Sequence, residues 1–440
     1  MISRLQRRML APLALGAVAV LGLTGCGTAT TAQSTELTDE DVTLTLSWWG
    51  ADARGQKTSE AIKLFEKAHP NITVEAQNSD WGGYWDRLAT TTAAGDMPDV
   101  MQFDEQFLAS YANRGTLLDL AEFTDILDPS YMDKKILAGG AVNDTQYAIP
   151  ISGAPSAVLI NTALFEQYGV SLPDLTTWTW DDYSETAQAL TEASDGAVHG
   201  ISPVGVDSFT LNVFARQHGE QLFDEDGDIV IPVETVADYW QTELDQIESG
   251  AAPSAEQLSE SAGVPLDQYD IVTGKTAMQF IPAGVFTAHQ SAAPNAKFIL
   301  ADWPTDSDTE EGFQYMKPTM YWSAAATSAH PAEAAALIDF LTTDPEVGTL
   351  FGTDRGISVN PDIQEVIKPT LTGADKIAFD YITNAAETVG AAAPITPNGA
   401  SDINAVISRY NQEVQFKSST PTEAAEAMIA EIQNSIDAAK

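Results

Sequence analysis

Apolar and polar positions along the chain switch between two periods. Val42-Thr43-Leu44-Thr45-Leu46-Ser47-Trp48-Trp49 alternates every second residue and is rich in β-branched side chains, which predicts a first strand broken at Gly50. Asp52 and Arg54 follow in an expected loop. Ala61, Ile62, Leu64, Phe65 and Ala68 then recur at helical spacing from Ser59, until Pro70 stops the helix. Ile72-Thr73-Val74-Glu75-Ala76 reads as the second strand, and the polar run from Asn78 to Gly83 as the loop after it. The next helical pattern ends through Leu88–Ala94 at Gly95, a residue that accepts the left-handed cap conformation. Pro98 forbids resumption and holds Met97 extended. Val100-Met101-Gln102-Phe103 has the length of a buried strand, and Asp104, Glu105 and Gln106 stand at its far end. Strand, helix, strand, helix, strand predicts a mostly parallel α/β sheet, with those acids at its carboxyl edge.

Further along, Tyr111–Leu120 is expected to form a helix and turn. Tyr147–Pro150 and Ala157–Asn161 are apolar runs around Ser152-Gly153-Ala154-Pro155, a punctuation that suits a crossing between lobes. Thr179 or Asp181 is placed to cap a helix through Ala187 and Leu190. Leu222-Phe223 and Ile229-Val230 flank Asp224-Glu225-Asp226-Gly227-Asp228, read as a hairpin. A calcium loop is disfavoured there because the Gly falls one residue early and the later acid is missing. Ala237–Ile247 is helical. Met278–Ile281, Phe298–Trp303 and Thr319–Ala324 are strands, His330-Pro331 opens a helix, Asp354–Ser358 is a loop, and the remainder is mostly helical.

Composition narrows the chemistry. The chain has 440 residues, with 21 Lys+Arg against 63 Asp+Glu and a formal charge of −42. Such a field repels nucleic acid and disfavours a multiply anionic ligand. Arg4, Arg7 and Arg8 precede an apolar run from Met9 to Leu23, the pattern of an export signal too short to span a membrane. Leu23-Thr24-Gly25-Cys26 resembles the lipobox of bacterial lipoproteins. By that resemblance residues 1–25 are a signal peptide, Cys26 carries the lipid (palmitate among its acyl chains), and residues 26–41 tether the domain to the outer face of the cell membrane. Cys26 is the one cysteine, so an intramolecular disulfide is excluded.

A succession of motifs runs in order through nearly the whole mature chain. It comprises Ile62–Glu66 with Pro70–Val74, Ala94-Gly95-Asp96 with Pro98-Asp99-Val100, Gly115–Leu120, and Asn161 with Leu164-Phe165. Gly274–Met278 and Ala334-Ala335 before Ile338–Leu341 complete it. This order resembles the sugar-binding lipoproteins of bacterial ABC importers, the group that includes maltose-binding proteins. The resemblance implies a two-lobe periplasmic-binding-protein-like fold, each lobe a mostly parallel sheet flanked by helices, with a hinge of several crossing segments. Lobe I is expected over 42–152 and 305–350, and lobe II over 153–304 and 351–440. Crossings are expected near Ile151–Ser156, Pro304–Gln314 and Leu350–Gly356. The implied role is capture of an oligosaccharide between closing lobes by a monomer, for a permease and ATPase, without catalysis, metal or cofactor.

Sugar rings present apolar faces to aromatic side chains and a belt of hydroxyls to carboxylates, amides and Arg. By position in the family, ligand contacts are expected from Trp49, Asp52, Arg54, Trp81, Asp104, Glu105 and Ser152. Trp180, Phe280, Trp303, Tyr321, Trp322 and Arg355 complete the expected set, while Trp48 and Trp85 read as core. Pro282-Ala283-Gly284 stands where many relatives carry a stacking Trp, so Phe280 is a poor substitute for it and that subsite is expected to be absent. Two other readings stay open. Aromatics with acids also bind cationic amines, and 63 acids always contain some pair suited to a glycoside hydrolase. The 5 His are scattered rather than spaced as metal ligands.

Overall fold

The computed structural model describes residues 34–203 and 207–440; Cys26, the export signal and the start of the tether lie outside the described residues. Its first sheet begins as the alternation predicts. Strand β1 (Val42–Trp49) pairs in parallel with β2 (Ile72–Ser79) and with β3 (Val100–Phe103). Gly95 ends the helix Trp81–Ala94 at φ 72°, its N–H reaching back to the last turn. Asp99 then fastens the entry to β3. Its carboxylate accepts from Thr45 N at 2.8 Å and from Ser328 Oγ at 2.6 Å, tying the start of β3 to β1 and to the turn after the last strand.

One boundary differs from the expectation. The first helix spans Asp52–Ala68, so Asp52 and Arg54 sit in its opening turns and not in a loop. Gly50 breaks the strand at φ 148°, and no proline intervenes before the apolar stripe. Asp52 also places negative charge at the positive end of the helix dipole.

Strand β4 (Ala148–Ala154) completes the first sheet and passes, with only Pro155 between them, into β5 (Ser156–Asn161) of the second. In the second sheet β5 is flanked by β7 (Thr276–Pro282) and β8 (Phe298–Ala301), with β6 (His199–Ile201) beyond β7. The chain returns through residues 302–316 to β9 (Lys317–Ala324), which lies between β3 and β4. The sheets are mixed and not mostly parallel. β9 runs antiparallel to both its neighbours, and β5 antiparallel to β7 and β8. The cause is that β4–β5 and β8–β9 are themselves the crossings, which enter one sheet as they leave the other.

Each sheet carries its own core. Trp48, Phe65, Trp322 and Leu337 belong to the first, and Trp178, Tyr183, Trp240 and Met428 to the second. The third crossing falls later than expected. Phe351, Ile357, Val359 and Ile363 all pack in the first core, and helix Pro361–Ile367 rests on helix Pro345–Phe351. The helix Gly373–Ala385 is the first element after residue 350 to reach the second lobe, where Ala378 joins a small cluster with Phe286 and Phe298. The end of the expected tether is also held. Thr38 N donates to Glu333 Oε1 at 2.8 Å, and Asn71 Nδ2 to the carbonyls of Thr38 and Glu40. Near residue 224 the expected hairpin is a tight turn with the Phe223–Ile229 bridge, its Asp224 carboxylate accepting from Asp226 N and Asp228 N.

Glu243, 1% exposed inside the helical layer of the second lobe, accepts from Gln415 Nε2 at 2.6 Å. Burial raises its carboxyl to about 7 from 4.5, with Gln415 and Asn411 opposing. The folded chain therefore binds more protons than the unfolded chain between these values. Stability falls as pH rises through that window and stays lower above it, by on the order of 3 kcal/mol. Glu243→Gln is expected to melt above the parent at pH 8 and to lose that advantage at pH 5. Calorimetry at both pH values checks this, and equal loss of stability at both would refute it.

Candidate functional site

Strand β3 is buried along its whole length and ends where the two lobes face each other. Asp104 and Glu105 emerge there, as the polar end of the strand predicts. Asp104 caps the helix Glu105–Ala112, accepting from Gln106 N at 3.0 Å. Glu105 points across the gap. Its carboxylate accepts from the backbone N–H of Thr396 and, at 3.2 Å, from the Thr396 hydroxyl. Lys317 Nζ, at the start of β9, lies 3.5 Å from the same carboxylate and sits over the Phe209 ring of the second lobe, 5.9 Å from its centroid.

These groups line a narrow cleft of about 40 Å³ that opens to solvent. Glu105 and Tyr321 form the first-lobe wall, Ser208, Phe209 and Asn212 the second, and residues 392–396 run along it. Tyr315 sits at the base, its hydroxyl accepting from Asn212 Nδ2 at 3.4 Å. The Tyr321 hydroxyl is buried with no hydrogen-bond partner among the described residues. Gly139 lies against it, since a Cβ there would come within 3.5 Å of that oxygen. Asn404 spans the rim, donating to Gln106 Oε1 at 3.3 Å on one lobe and accepting from Ser208 N at 2.9 Å on the other.

The electrostatics follow from burial inside an acidic cluster. Burial raises the Asp104 pKa and Glu105 adds to the rise, while Lys317 and the Gln106 N–H oppose it. For Lys317 burial works downward, but Glu105, Asp104, Tyr315 and Asp207 together leave the ammonium above its usual value. Burial, with Glu105 and Asp104 beside it, drives the Tyr321 phenol well above 10, so it keeps its proton.

Several expected contacts lie elsewhere. Trp81, 44% exposed, meets the edge of Trp49 at 5.0 Å, and both rest on Trp85 in an aromatic patch on the first lobe. Trp180, Phe280 and Trp303 form a separate stack inside the second lobe, with Phe280 and Trp303 4.2 Å apart. Trp180 Nε1 donates to Gln217 Oε1 at 3.1 Å. Trp303 borders a different opening, with Asp302, Asp306 and Tyr381, across the 302–316 crossing. The expected convergence of Trp49, Trp81, Asp104 and Trp303 in one groove is therefore not what the structure shows. The rings found a partner in their own lobe's core first.

Arg54, Ser152, Trp322 and Arg355 form the structural seam of the first lobe. Arg54 grips Asp354 through Nε at 2.9 Å and through its backbone carbonyl at 2.8 Å. Arg355, 2% exposed, donates to Gln102 Oε1 at 3.2 Å and Thr58 Oγ1 at 2.8 Å, and lies over the rings of Phe351 and Trp322. Burial, aided by Arg54 and opposed by Asp354, pulls its pKa down to about 9. The Ser152 hydroxyl is occupied by the Arg355 carbonyl and Thr319. Asp52 is exposed beside a shallow groove with Trp48 and Asn78. Where relatives carry a stacking Trp, Ala283 is fully buried with its N–H bonded to the Pro155 carbonyl at 2.9 Å, leaving no room for an indole.

Sequence reasoning missed Lys317, Phe209, Asn212, Thr396 and Asn404. Phe209 and Asn212 are recoverable in part, since Asp207 caps the helix that carries them. Thr396 and Asn404 carry no local signal.

A family model described as bacterial extracellular solute-binding protein matches residues 50–347. A putative binding protein of Brucella abortus is 22% identical over 190 residues, 42% of this chain and 45% of its own length, so the chain matches under half of that curated relative. A periplasmic oligogalacturonide-binding protein from Yersinia enterocolitica, solved with saturated digalacturonic acid, is 22% identical; 90% of this chain and 99% of that one superpose at a TM-score of 0.77. An ABC substrate-binding protein from Listeria monocytogenes, solved with cycloalternan, is 21% identical, with 90% and 100% covered at 0.75. These likenesses carry the fold, and the model spanning both lobes carries the family: the chain belongs to the bacterial extracellular solute-binding proteins.

Proposed function

We propose that this chain captures an extracellular carbohydrate, an oligosaccharide, in the cleft between its lobes and delivers it to the permease and ATPase of an ABC importer. The carrying observation is the Tyr321 hydroxyl, buried and unpartnered on the cleft wall next to the Glu105 carboxylate. An unpaired buried hydroxyl costs about 1–3 kcal/mol unless something bonds it, and a sugar hydroxyl is such a partner. Phe209 borders the opposite wall beneath the Lys317 ammonium. The Yersinia and Listeria proteins of this fold hold oligosaccharides, which supports the class of ligand. The lobes close as one unit around it, and the closed form is what the importer reads. No bond is made or broken in this reading, and the protein acts as a monomer. Cys26 is its lipid anchor.

A cationic amine is the competing ligand, favoured by Asp104, Glu105 and Asp207 around the cleft. Lys317 argues against it, because the cation such a site would attract is already resident.

In a thermal-shift screen, at least one neutral oligosaccharide at a hundredfold its Kd should stabilise the protein by about 2.7 kcal/mol. Spermidine and glycine betaine should give no shift. A shift with the amines alone would reverse the assignment. Tyr321→Phe should leave the unliganded protein as stable as the parent, or more so, and weaken the best saccharide about tenfold; unchanged affinity would remove the hydroxyl from the site. Cys26→Ser should move the protein from the membrane fraction to the soluble one on cell fractionation, and retention in the membrane would refute the anchor.

A further inference from the structure

Among the described residues that line the cleft, Lys317 is the one cation. It is committed to the chain itself: its ammonium lies 3.5 Å from Glu105 and also feels Asp104 and Asp207. Three guanidiniums outside the cleft lining are engaged elsewhere. Arg216 donates to the carbonyls of Phe313 at 2.7 Å and Ala391 at 3.0 Å, and Arg54 and Arg355 are held in the seam of the first lobe. The cleft lining thus holds one acid and one cation paired with each other, with Asp104 and Asp207 near enough to act on the same ammonium.

We propose that the Glu105–Lys317 pair is a charge filter that makes this protein select neutral saccharides over their uronate counterparts. This rests on the carbohydrate reading above and narrows it. A buried anion needs a cation or several donors to replace its water. A uronate carboxylate placed in the cleft meets Glu105 instead, with Lys317 already neutralised by it and Asp104 behind it. A sugar hydroxyl meets the opposite situation, donating to the Glu105 carboxylate and accepting from the Tyr321 O–H. Replacing –CH₂OH by –COO⁻ in an otherwise identical ring exchanges a donor for a repelled charge. The fold itself does not set this choice, because the deciding groups are side chains at the end of β3 and the start of β9.

The test is a set of affinity measurements at pH 7 and fixed salt. The neutral probes are oligosaccharides of galactose, glucose and xylose; the acidic probes are oligogalacturonate and glucuronate-bearing xylo-oligosaccharides. The wild-type protein should bind a neutral probe at least tenfold tighter than its acidic counterpart. E105Q, which frees Lys317, should reduce that ratio at least tenfold. Should E105Q melt far below the parent, Lys317→Met serves in its place and should widen the ratio by weakening the acidic probe. Uronates bound by the wild type as tightly as neutral probes would overturn the filter and leave the carbohydrate reading standing. A ratio that neither variant moves would overturn the assignment to this pair. If neither class of probe binds, the carbohydrate reading falls and the filter falls with it.

Discussion

The placement of β3 is the constraint on which the rest depends. Four residues, Val100–Phe103, are buried on both faces between β1 and β9. A strand this short has few ladder bonds to fix its register, and Asp99 supplies what is missing through Thr45 and Ser328. At the other end Tyr84 donates its hydroxyl to the Gln102 carbonyl, and the Gln102 side chain meets Arg355. With both ends fastened, the next two residues have one way to go. Asp104 turns into a helix cap and Glu105 is thrust into the space between the lobes. The cleft chemistry is thus a consequence of strand termination, the usual way an α/β sheet presents polar groups at its carboxyl edge.

That same placement explains why the buried arginine is structural. Arg355 takes its partners from Thr58, Gln102 and Asp354, all on the first lobe. A guanidinium this buried holds its place only when its donors are matched, and here they are matched without a ligand. Lys317 differs: half-buried, at 3.5 Å from the Glu105 carboxylate, it lines the cleft between the lobes. The contrast separates a cation that holds the fold from one that borders a binding space.

How much of this was legible follows from where each signal resides. The β1 alternation, the Gly95 cap, the Pro98 stop and the acids after β3 are local patterns, and each lies where the sequence places it. The helix start at Asp52 escaped because Ala51, its cap, offers no side-chain oxygen. The site aromatics were misplaced for a different reason. Apolar area drives a ring to the nearest core, and sequence shows the ring but not which core is nearer. Trp303 packs against Phe280 and edge-on to Trp180, both distant from it along the chain. Lys317 and Thr396 were invisible because their importance lies wholly in meeting Glu105, from which each is separated by more than two hundred residues. The second opening, beyond the 302–316 crossing, had no signal in sequence either.

The contacts that join the lobes are of a strength that suits a moving part. Across the cleft run the Asn404 bridge to Gln106 and Ser208, the Thr396 bonds to Glu105, and the Lys317 ammonium over Phe209. The Asn404 bridge is exposed, and hydrogen bonds of this kind contribute roughly 1 kcal/mol each after exchange with water. The Lys317 ammonium over the Phe209 ring adds on the order of 1 kcal/mol. Their total is a few kcal/mol, against two cores each built mostly from its own lobe, with Ala157 and Ala283 of the second lobe packing into the first core at the hinge. Opening about that hinge leaves most of both cores in place, and along the cleft it breaks contacts that water can replace. A bound molecule that bridges the same walls need supply only a comparable differential free energy to move the population. Had the lobes also met through a continuous apolar interface along the cleft, no small solute would have sufficed; the polar contacts there, away from the apolar hinge, are what let the fold respond to one.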